Sequence, residues 1–413
     1  MKKLVVYSAA VFSLCWISIP ASAQSIKVGH LVDYTGPTSS VGKPYGEGVA
    51  DALNYINAHG GVKGRKFQFN TVDYAYNVAQ AVPAYKHMIA DGVVAIQGWG
   101  TSDTEALVSF VAKDKVPYFS ASYSGHLTDP TGKNPNTKKA APYNFFYGAS
   151  YSDGCRGLVA WAARDWKKRG NSGQPKFIHM GANHPYALAP KAACESYAKE
   201  LGFQIMPTIV YSLSPGDFKA QCLSLKESGA NYAFLGNTSG SNISLLKSCE
   251  TVGVKTRFMA NIFGFDEGAI KAAGHAGEGV VVVESTPTWG ELSKGASLMR
   301  SVSKVSDPTG KEYRLTHYLR GVCSVFFMKE AMEIAAGMPG GITGPNIEQA
   351  MYKKKNWVPK GLEGVCLPST WTATDHRGTT TVLVDEAHFA NGAPSLRGAF
   401  KIDLPRRPEW LGE

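Results

Sequence analysis

The chain carries no sequence signature of a catalyst. G-x-S-x-G is absent, no P-loop lysine follows a glycine run, and neither Gly98-Trp99-Gly100 nor Gly277-Glu278-Gly279 completes a dinucleotide-binding pattern. The 10 histidines form no H-E-x-x-H, and the 7 cysteines form no C-x-x-C or zinc spacing. Acids and hydroxyls are plentiful but nowhere spaced as a catalytic set, so neither an enzyme nor a cofactor is expected. The formal charge is +10, yet the basic residues are scattered in small groups such as Lys138-Lys139, Lys167-Lys168-Arg169 and Lys353-Lys354-Lys355. Nucleic-acid binding would gather them on one stripe with stacking aromatics. They read instead as a solvated surface whose field helps to draw in an anion.

Long hydrophobic runs are nearly absent as well; the one present lies at residues 4–19. Lys2 and Lys3 precede it, Pro20 breaks it, and Ala21-Ser22-Ala23 follows as a small-x-small cleavage site. That is the pattern of a secretory signal peptide over residues 1–23. A membrane anchor is the alternative, but the run is short for a span of ~20 residues. Cys15 follows Leu14 rather than the small residue of a lipidation signal. The mature chain is expected to begin near Gln24 and to be soluble and periplasmic. Six cysteines then remain, and an even number in an oxidising compartment favours disulfides. Cys222 and Cys249 fall on consecutive helix patterns separated by one strand, which makes them the first expected pair.

What is present is alternation. Ile26–Val32 reads as a strand, and a helix pattern opens at Lys43-Pro44, with Val49, Leu53 and Ile56 on one face. Strand patterns at 66–72, 93–96 and 116–119 alternate with a helix that opens at Asn77 and one at 103–112. Asn77 is placed to cap the first of these, and Pro83 either kinks it or lies in its first turn. After a polar loop from about Gly125 to Pro142 a second series follows. Its helices are expected at 153–168, 187–201, 216–228 and 241–252, and its strands at 176–180, 203–210, 231–235, 256–260 and 279–284. Two further helices (291–304 and 315–336) and a short one near 345–351 precede β-rich sequence from about 364 to 403. About 390 mature residues exceed one ordinary core. The expectation is an α/β fold of two lobes, each with a parallel sheet covered on both faces.

The strand–loop–helix stretch GHLVDYTGPTSS, residues 29–40, ends an apolar run in a hydroxyl- and glycine-rich loop. Such loops hold small ligands in open α/β sheets. The run V-G-H-L-V-D-Y-T-G-P-T-S-S-V-G, followed by G-V-A-D-A-L-N-Y-I-N-A-H-G-G-V-K-G-R, resembles the opening of the leucine/branched-chain amino-acid-binding family. These are type I periplasmic solute-binding proteins of ATP-driven importers. The resemblance continues in AIQGWGTSDT (95–104), VPYFSASYS (116–124), GVKTRFM (253–259), residues 278–283 and DHRG (375–378). It runs over essentially the whole mature chain, and the order and spacing of the motifs carry it.

The resemblance implies two doubly wound parallel-sheet lobes joined by a three-crossing hinge, with crossings near 145–150, 284–290 and 353–360. Lobe 1 would be 24–147, continued by about 287–355; lobe 2 would be 148–286, continued by about 356–413. The implied partners are a small-molecule carboxylate ligand and an inner-membrane ABC permease, and the protein is expected to be a monomer.

The candidate site begins at Trp99-Gly100-Thr101-Ser102. Ser102-Asp103-Thr104-Glu105 has capping-box spacing, so Ser102 reads as a helix N-cap, where free N–H groups and the dipole favour an anion. A plain capping box is the alternative. The resemblance implies that Ser102 binds the ligand carboxylate through its hydroxyl and amide. It further implies that Ser122 offers its carbonyl and Ser124 its hydroxyl and amide, with Tyr123 bulkier than usual between them. Tyr186 falls where the family often closes an aromatic residue over the ligand, a buried tyrosine being the alternative. Thr238 stands where branched-chain binders carry an aromatic residue. Ile262 aligns with the glutamate that pairs with a ligand ammonium, and Asp266 and Glu267 come too late without a gap. A buried ammonium without a counter-charge costs several kcal/mol. With Trp99, Thr101, Tyr123 and Phe263 around the same site, an apolar or aromatic carboxylate is the preferred ligand. A branched-chain amino-acid-binding protein proper, and a ligand-sensing lobe of a membrane receptor, remain as alternatives.

Overall fold

The computed structural model describes residues 24–292, 296–390 and 392–413. The expected leader at 1–23 lies outside the described residues. The first series runs β1 (Ile26–Val32), α1 (Ser39–Ala58), β2 (Phe67–Asp73), α2 (Val78–Ala90), β3 (Ala95–Gly98), α3 (Thr101–Asp114), β4 (Tyr118–Ser120) and β5 (Asn144–Phe146). The second runs α4 (Tyr151–Lys168), β6 (Lys176–Gly181), α5 (Pro185–Leu188), α6 (Lys191–Glu200), β7 (Gln204–Val210), α7 (Lys219–Ser228), β8 (Tyr232–Leu235), α8 (Ser239–Thr251), β9 (Arg257–Ala260), α9 (Glu267–Ala273) and β10 (Val281–Glu284). Then come α10 (Ala296–Ser303), α11 (Thr316–Ala335), α12 (Gly344–Met351) and a terminal pair, β11 (Thr381–Ala390) and β12 (Ala393–Asp403).

The strands form two sheets, a 5-stranded one of order β2-β1-β3-β4-β5 and a 7-stranded one of order β12-β11-β10-β9-β8-β6-β7. The first sheet is wholly parallel, and β6 to β10 are parallel in the second, while β11 and β12 join its edge antiparallel. Both lobes therefore repeat one doubly wound order, each with its reversal beside the first strand. The crevice at the carboxyl ends of those strands is where such sheets hold ligands.

Both faces of the second sheet are covered, and β8 shows how. Tyr232 and Phe234 pack into the core shared with α4 and the first lobe, while Ala233 and Leu235 pack with α7 to α9. In the first lobe α1 lies close on α11. A Cβ at Gly48 would stand 2.2 Å from the Tyr318 carbonyl, and one at Gly321 would stand 2.4 Å from that of Tyr45. Three disulfides hold helices in pairs or to the hinge: Cys155–Cys194 joins α4 to α6, Cys222–Cys249 joins α7 to α8 as expected, and Cys323–Cys366 joins α11 to the segment after α12.

Several boundaries differ from expectation. α1 starts at Ser39, so Pro44 lies inside it, and α2 likewise runs through Pro83. The single helix expected at 187–201 is two, because Pro190 separates α5 from α6. The short strand β5 was not anticipated. The β-rich reading of 364–380 fails. That segment holds only isolated bridges, and its backbone bonds elsewhere, with the Leu367 amide donating to the Tyr147 hydroxyl (2.8 Å) and the His376 amide to the Thr128 carbonyl (2.8 Å).

Candidate functional site

The two lobes meet at the carboxyl ends of their central strands. The loop after β1 is held by the buried Asp33 carboxylate, which accepts from the Gly36 amide (2.5 Å), the Thr38 amide (3.0 Å) and the Thr38 hydroxyl (2.5 Å). Thr38 in turn accepts from the Trp99 indole at 2.9 Å. The polar loop that heads the chain is thus tied to the end of β3. From β2 come Tyr74 and Tyr76. The Gly100 amide donates to the Tyr74 hydroxyl (3.0 Å) and the Thr101 amide to the Tyr76 hydroxyl (3.2 Å). A Cβ at Gly100 would fall 1.8 Å from the Tyr76 ring, so only glycine admits this contact.

These bonds correct the expected anion anchor. The N-cap of α3 is Gly100, and Ser102 lies inside the first turn. No capping box forms, because Glu105 accepts from the Ser124 hydroxyl (2.7 Å) and meets His126 Nδ1 at 3.0 Å. Ser124 caps the short turn Gly125–Leu127 instead. Ser122 donates its hydroxyl to that of Thr101 (3.0 Å), and its carbonyl accepts from Ser120 (3.1 Å). Below the turn, the buried Asp103 carboxylate accepts from Tyr74 (2.7 Å), and burial pushes its pKa up to about 7.

The second lobe contributes the opposite wall. His184 caps α5, which places Tyr186 edge-on to Tyr151 with centroids 5.3 Å apart. Thr238 is the N-cap of α8, with its hydroxyl unused in capping. After β9 the Asn261–Gly264 turn, closed by a 2.7 Å backbone bond, carries Phe263 across to the first lobe. Its ring lies 5.2 Å from Trp99, 5.4 Å from Tyr123 and 6.5 Å from Tyr151. The cavity enclosed is lined by Thr38, Tyr76, Trp99, Thr101, Tyr151, Tyr186, Thr238 and Phe263 with the backbone of Gly100 and Ala121. At about 10 Å³ it has room for one water.

Of the residues singled out from sequence, Trp99, Thr101, Tyr186, Thr238 and Phe263 line this cavity, and Tyr123 packs behind Phe263. Ser102, Ser122, Ser124 and Ile262 do not line it. Ile262 turns its carbonyl to Arg320, which donates at 2.7 Å. Asp266 is no substitute for the missing glutamate. It caps α9 and pairs with His317 at 3.1 Å. Burial alone would raise its pKa, but the bonds from His317 and the Ala269 amide hold it below the usual range. Thr38, Tyr76 and Tyr151 were missed, although Thr38 lies within the loop that drew attention first. Arg320, a lone basic residue in the apolar run Tyr318–Met328, was missed as well. Among the described residues, the buried hydroxyls of Tyr45, Ser102, Tyr123, Tyr186 and Thr238 have no hydrogen-bond partner. Of these residues Tyr186 and Thr238 line the cavity, so two unmatched hydroxyls stand between its aromatic faces.

Comparison with known proteins agrees with this fold. A Leu/Ile/Val-binding protein homolog 4 of Brucella abortus is 25% identical over 287 residues, covering 67% of this chain and 65% of that relative. The match thus spans just under two thirds of the relative's length. An ABC transporter substrate-binding protein of Aeropyrum pernix superposes with a TM-score of 0.80 at 26% identity, covering 94% of this chain and 98% of that one. A branched-chain amino-acid ABC transporter protein of Thermus thermophilus with bound valine gives a TM-score of 0.80 at 22% identity, covering 93% and 97%; that likeness is one of fold. Residues 25–392 match the periplasmic binding protein family. The chain therefore belongs to the periplasmic binding protein family.

Proposed function

We propose that the protein is the extracytoplasmic substrate-binding component of an ABC-type importer, and that it captures a small carboxylate with an apolar, branched or ring-bearing body between its lobes. It hands this ligand to an inner-membrane permease and acts as a monomer without catalysis. The observation that carries the ligand class is the composition of the cleft. Aromatic rings from both lobes form its walls, the Tyr186 and Thr238 hydroxyls among them have no partner, and no carboxylate lines it among the described residues; the sequence resemblance aligns Ile262 with the family's ammonium-pairing glutamate. Trp99, Thr101, Tyr123, Tyr186, Thr238 and Phe263 are the residues we assign to ligand contact, with Ser102, Ser122, Ser124 and Ile262 supporting them from behind.

The second reading is a branched-chain amino-acid-binding protein, favoured by the likeness to the valine-bound Thermus protein. A thermal-shift panel separates the two. Ligand at 100 times its Kd adds about 2.7 kcal/mol of stability. Aromatic and branched carboxylic acids are expected to raise the melting temperature, and leucine, isoleucine and valine to leave it nearly unchanged. A shift with the amino acids alone would replace the first reading by the second.

A further inference from the structure

We infer that Arg320, reaching from α11 to the second lobe, is the specificity-determining residue that binds the ligand's carboxylate and rejects an α-ammonium. The inference rests on the proposed reading of the cleft and names the group that makes it selective.

Arg320 is wholly buried. Its NH1 donates to the Ile262 carbonyl (2.7 Å) and to His317 Nδ1 (2.7 Å), and its NH2 pairs with Glu284 at the end of β10. The guanidinium carbon lies 5.5 Å from the centroid of Phe263, within cation–π range of a ring that itself lines the cavity. A buried guanidinium, paired with Glu284, therefore stands behind a ring of the cavity wall and beside the backbone of Ile262.

The donors around it are not all used. Arg320 Nε has no partner, nor do the hydroxyls of Tyr45 and Tyr123. Tyr123 packs on Phe263 and Tyr45 on Trp99, each with centroids 5.4 Å apart. Both hydroxyls feel the arginine charge, which opposes the upward pull of burial on their pKa values. A carboxylate accepts at two oxygens with about four lone-pair sites, and one guanidinium N–H with two hydroxyls suits it.

The neighbouring acids are largely committed. Asp266 serves His317 and the α9 cap, Glu267 meets the Thr316 amide and the Tyr313 hydroxyl, and Glu284 accepts from Arg320 and Thr316 through one oxygen, its Oε1 having no partner. The alternative anchor at α3 is partly spent, because Tyr74 and Tyr76 take its first amides and Glu105 takes the Ser124 hydroxyl.

The test uses 3-phenylpropionate and 3-phenylpropanol, which share a body and differ in charge, with L-phenylalanine as the ammonium-bearing control. Calorimetric titration of the wild-type protein is expected to rank the acid at least about tenfold above both others. Removing one partner of a buried ion pair endangers folding, so the variant combines Arg320→Gln with Glu284→Gln. It is expected to lose at least about tenfold in affinity for the acid while the alcohol changes less than about threefold. Tyr123→Phe leaves the ion pair intact and is expected to weaken the acid several-fold and spare the alcohol. If the folded double variant keeps the acid's advantage, or Tyr123→Phe leaves the acid's affinity unchanged, the role of Arg320 falls while the ligand class stands. If wild-type protein prefers L-phenylalanine, or binds none of the three, the ligand class falls and the role of Arg320 with it.

Discussion

Two hydroxyls, each a few residues past a strand, have different fates. Ser124 donates to Glu105 and accepts from the His126 amide (3.3 Å), so its hydroxyl belongs to the scaffold. Thr238 has a buried hydroxyl with no partner, and its side chain lines the cavity. Ser124→Ala should therefore cost about 1 kcal/mol of stability and change ligand affinity by less than about twofold. Thr238→Val should leave the melting temperature unlowered and weaken binding about two- to tenfold. Denaturation and calorimetry on the two variants check both, and the opposite pattern would move Ser124 into the site. The sequence could place both residues after strands, because the alternation of elements is local. It could not distinguish them, because Glu105 lies a whole element away from Ser124. Arg320 was hidden for a similar reason. A single arginine in an apolar helix reads as a surface residue until the packing of α1 against α11 shows that the helix has no free side.

At the scale of elements, legibility followed periodicity. β8 and α4 were visible because burial on one or both faces leaves a repeating apolar pattern. β5 has 3 residues and ends at the chain's first passage between lobes, too short to show a period. The residues at 364–380 are rich in threonine, which suits strands, yet they bond to Tyr147 and Thr128 rather than to a neighbouring strand. The disulfide between α7 and α8 was foreseeable because one strand separates the two helices. Its cysteines stand 27 residues apart, and closing a loop of that length is worth about 3 kcal/mol. Cys222→Ser with Cys249→Ser should lower the unfolding free energy by about that amount, measured in urea, and leave ligand affinity within about twofold. Equal stability with and without the bridge would mean that packing between the helices does the work alone.

At the scale of the molecule, buried titratable groups predict how stability depends on pH. Burial pushes Glu284 up to about 8, against the pull of Arg320, and pushes Glu267 and Asp103 up to about 7. Their folded pKa values exceed the unfolded ones, so the folded state holds more protons above the unfolded pKa, and stability falls as pH rises through the folded values. Burial holds His30 down to about 3 and His179 and His376 down to about 4. Those imidazoles take up protons first in the unfolded chain, so stability also falls as pH drops below about 6.5. The two windows overlap between about pH 4.5 and 6.5, so the optimum should lie within that overlap, near pH 5–6, with stability falling towards pH 8. Urea titrations across that range check it, and a rise in stability from pH 6.5 to 8 would show that the acids ionise without penalty.

On the proposed reading the buried charges also bear on the ligand class, because Arg320 lies behind Phe263, a wall of the cleft. The most direct measurement is a calorimetric comparison of L-leucine with 4-methylpentanoate, which is leucine without its amino group. The carboxylate and the branched body are then held constant, and only the ammonium is tested. Binding of 4-methylpentanoate at least about tenfold tighter than leucine is the predicted result. Tighter binding of leucine would contradict the account and assign the cleft to amino acids.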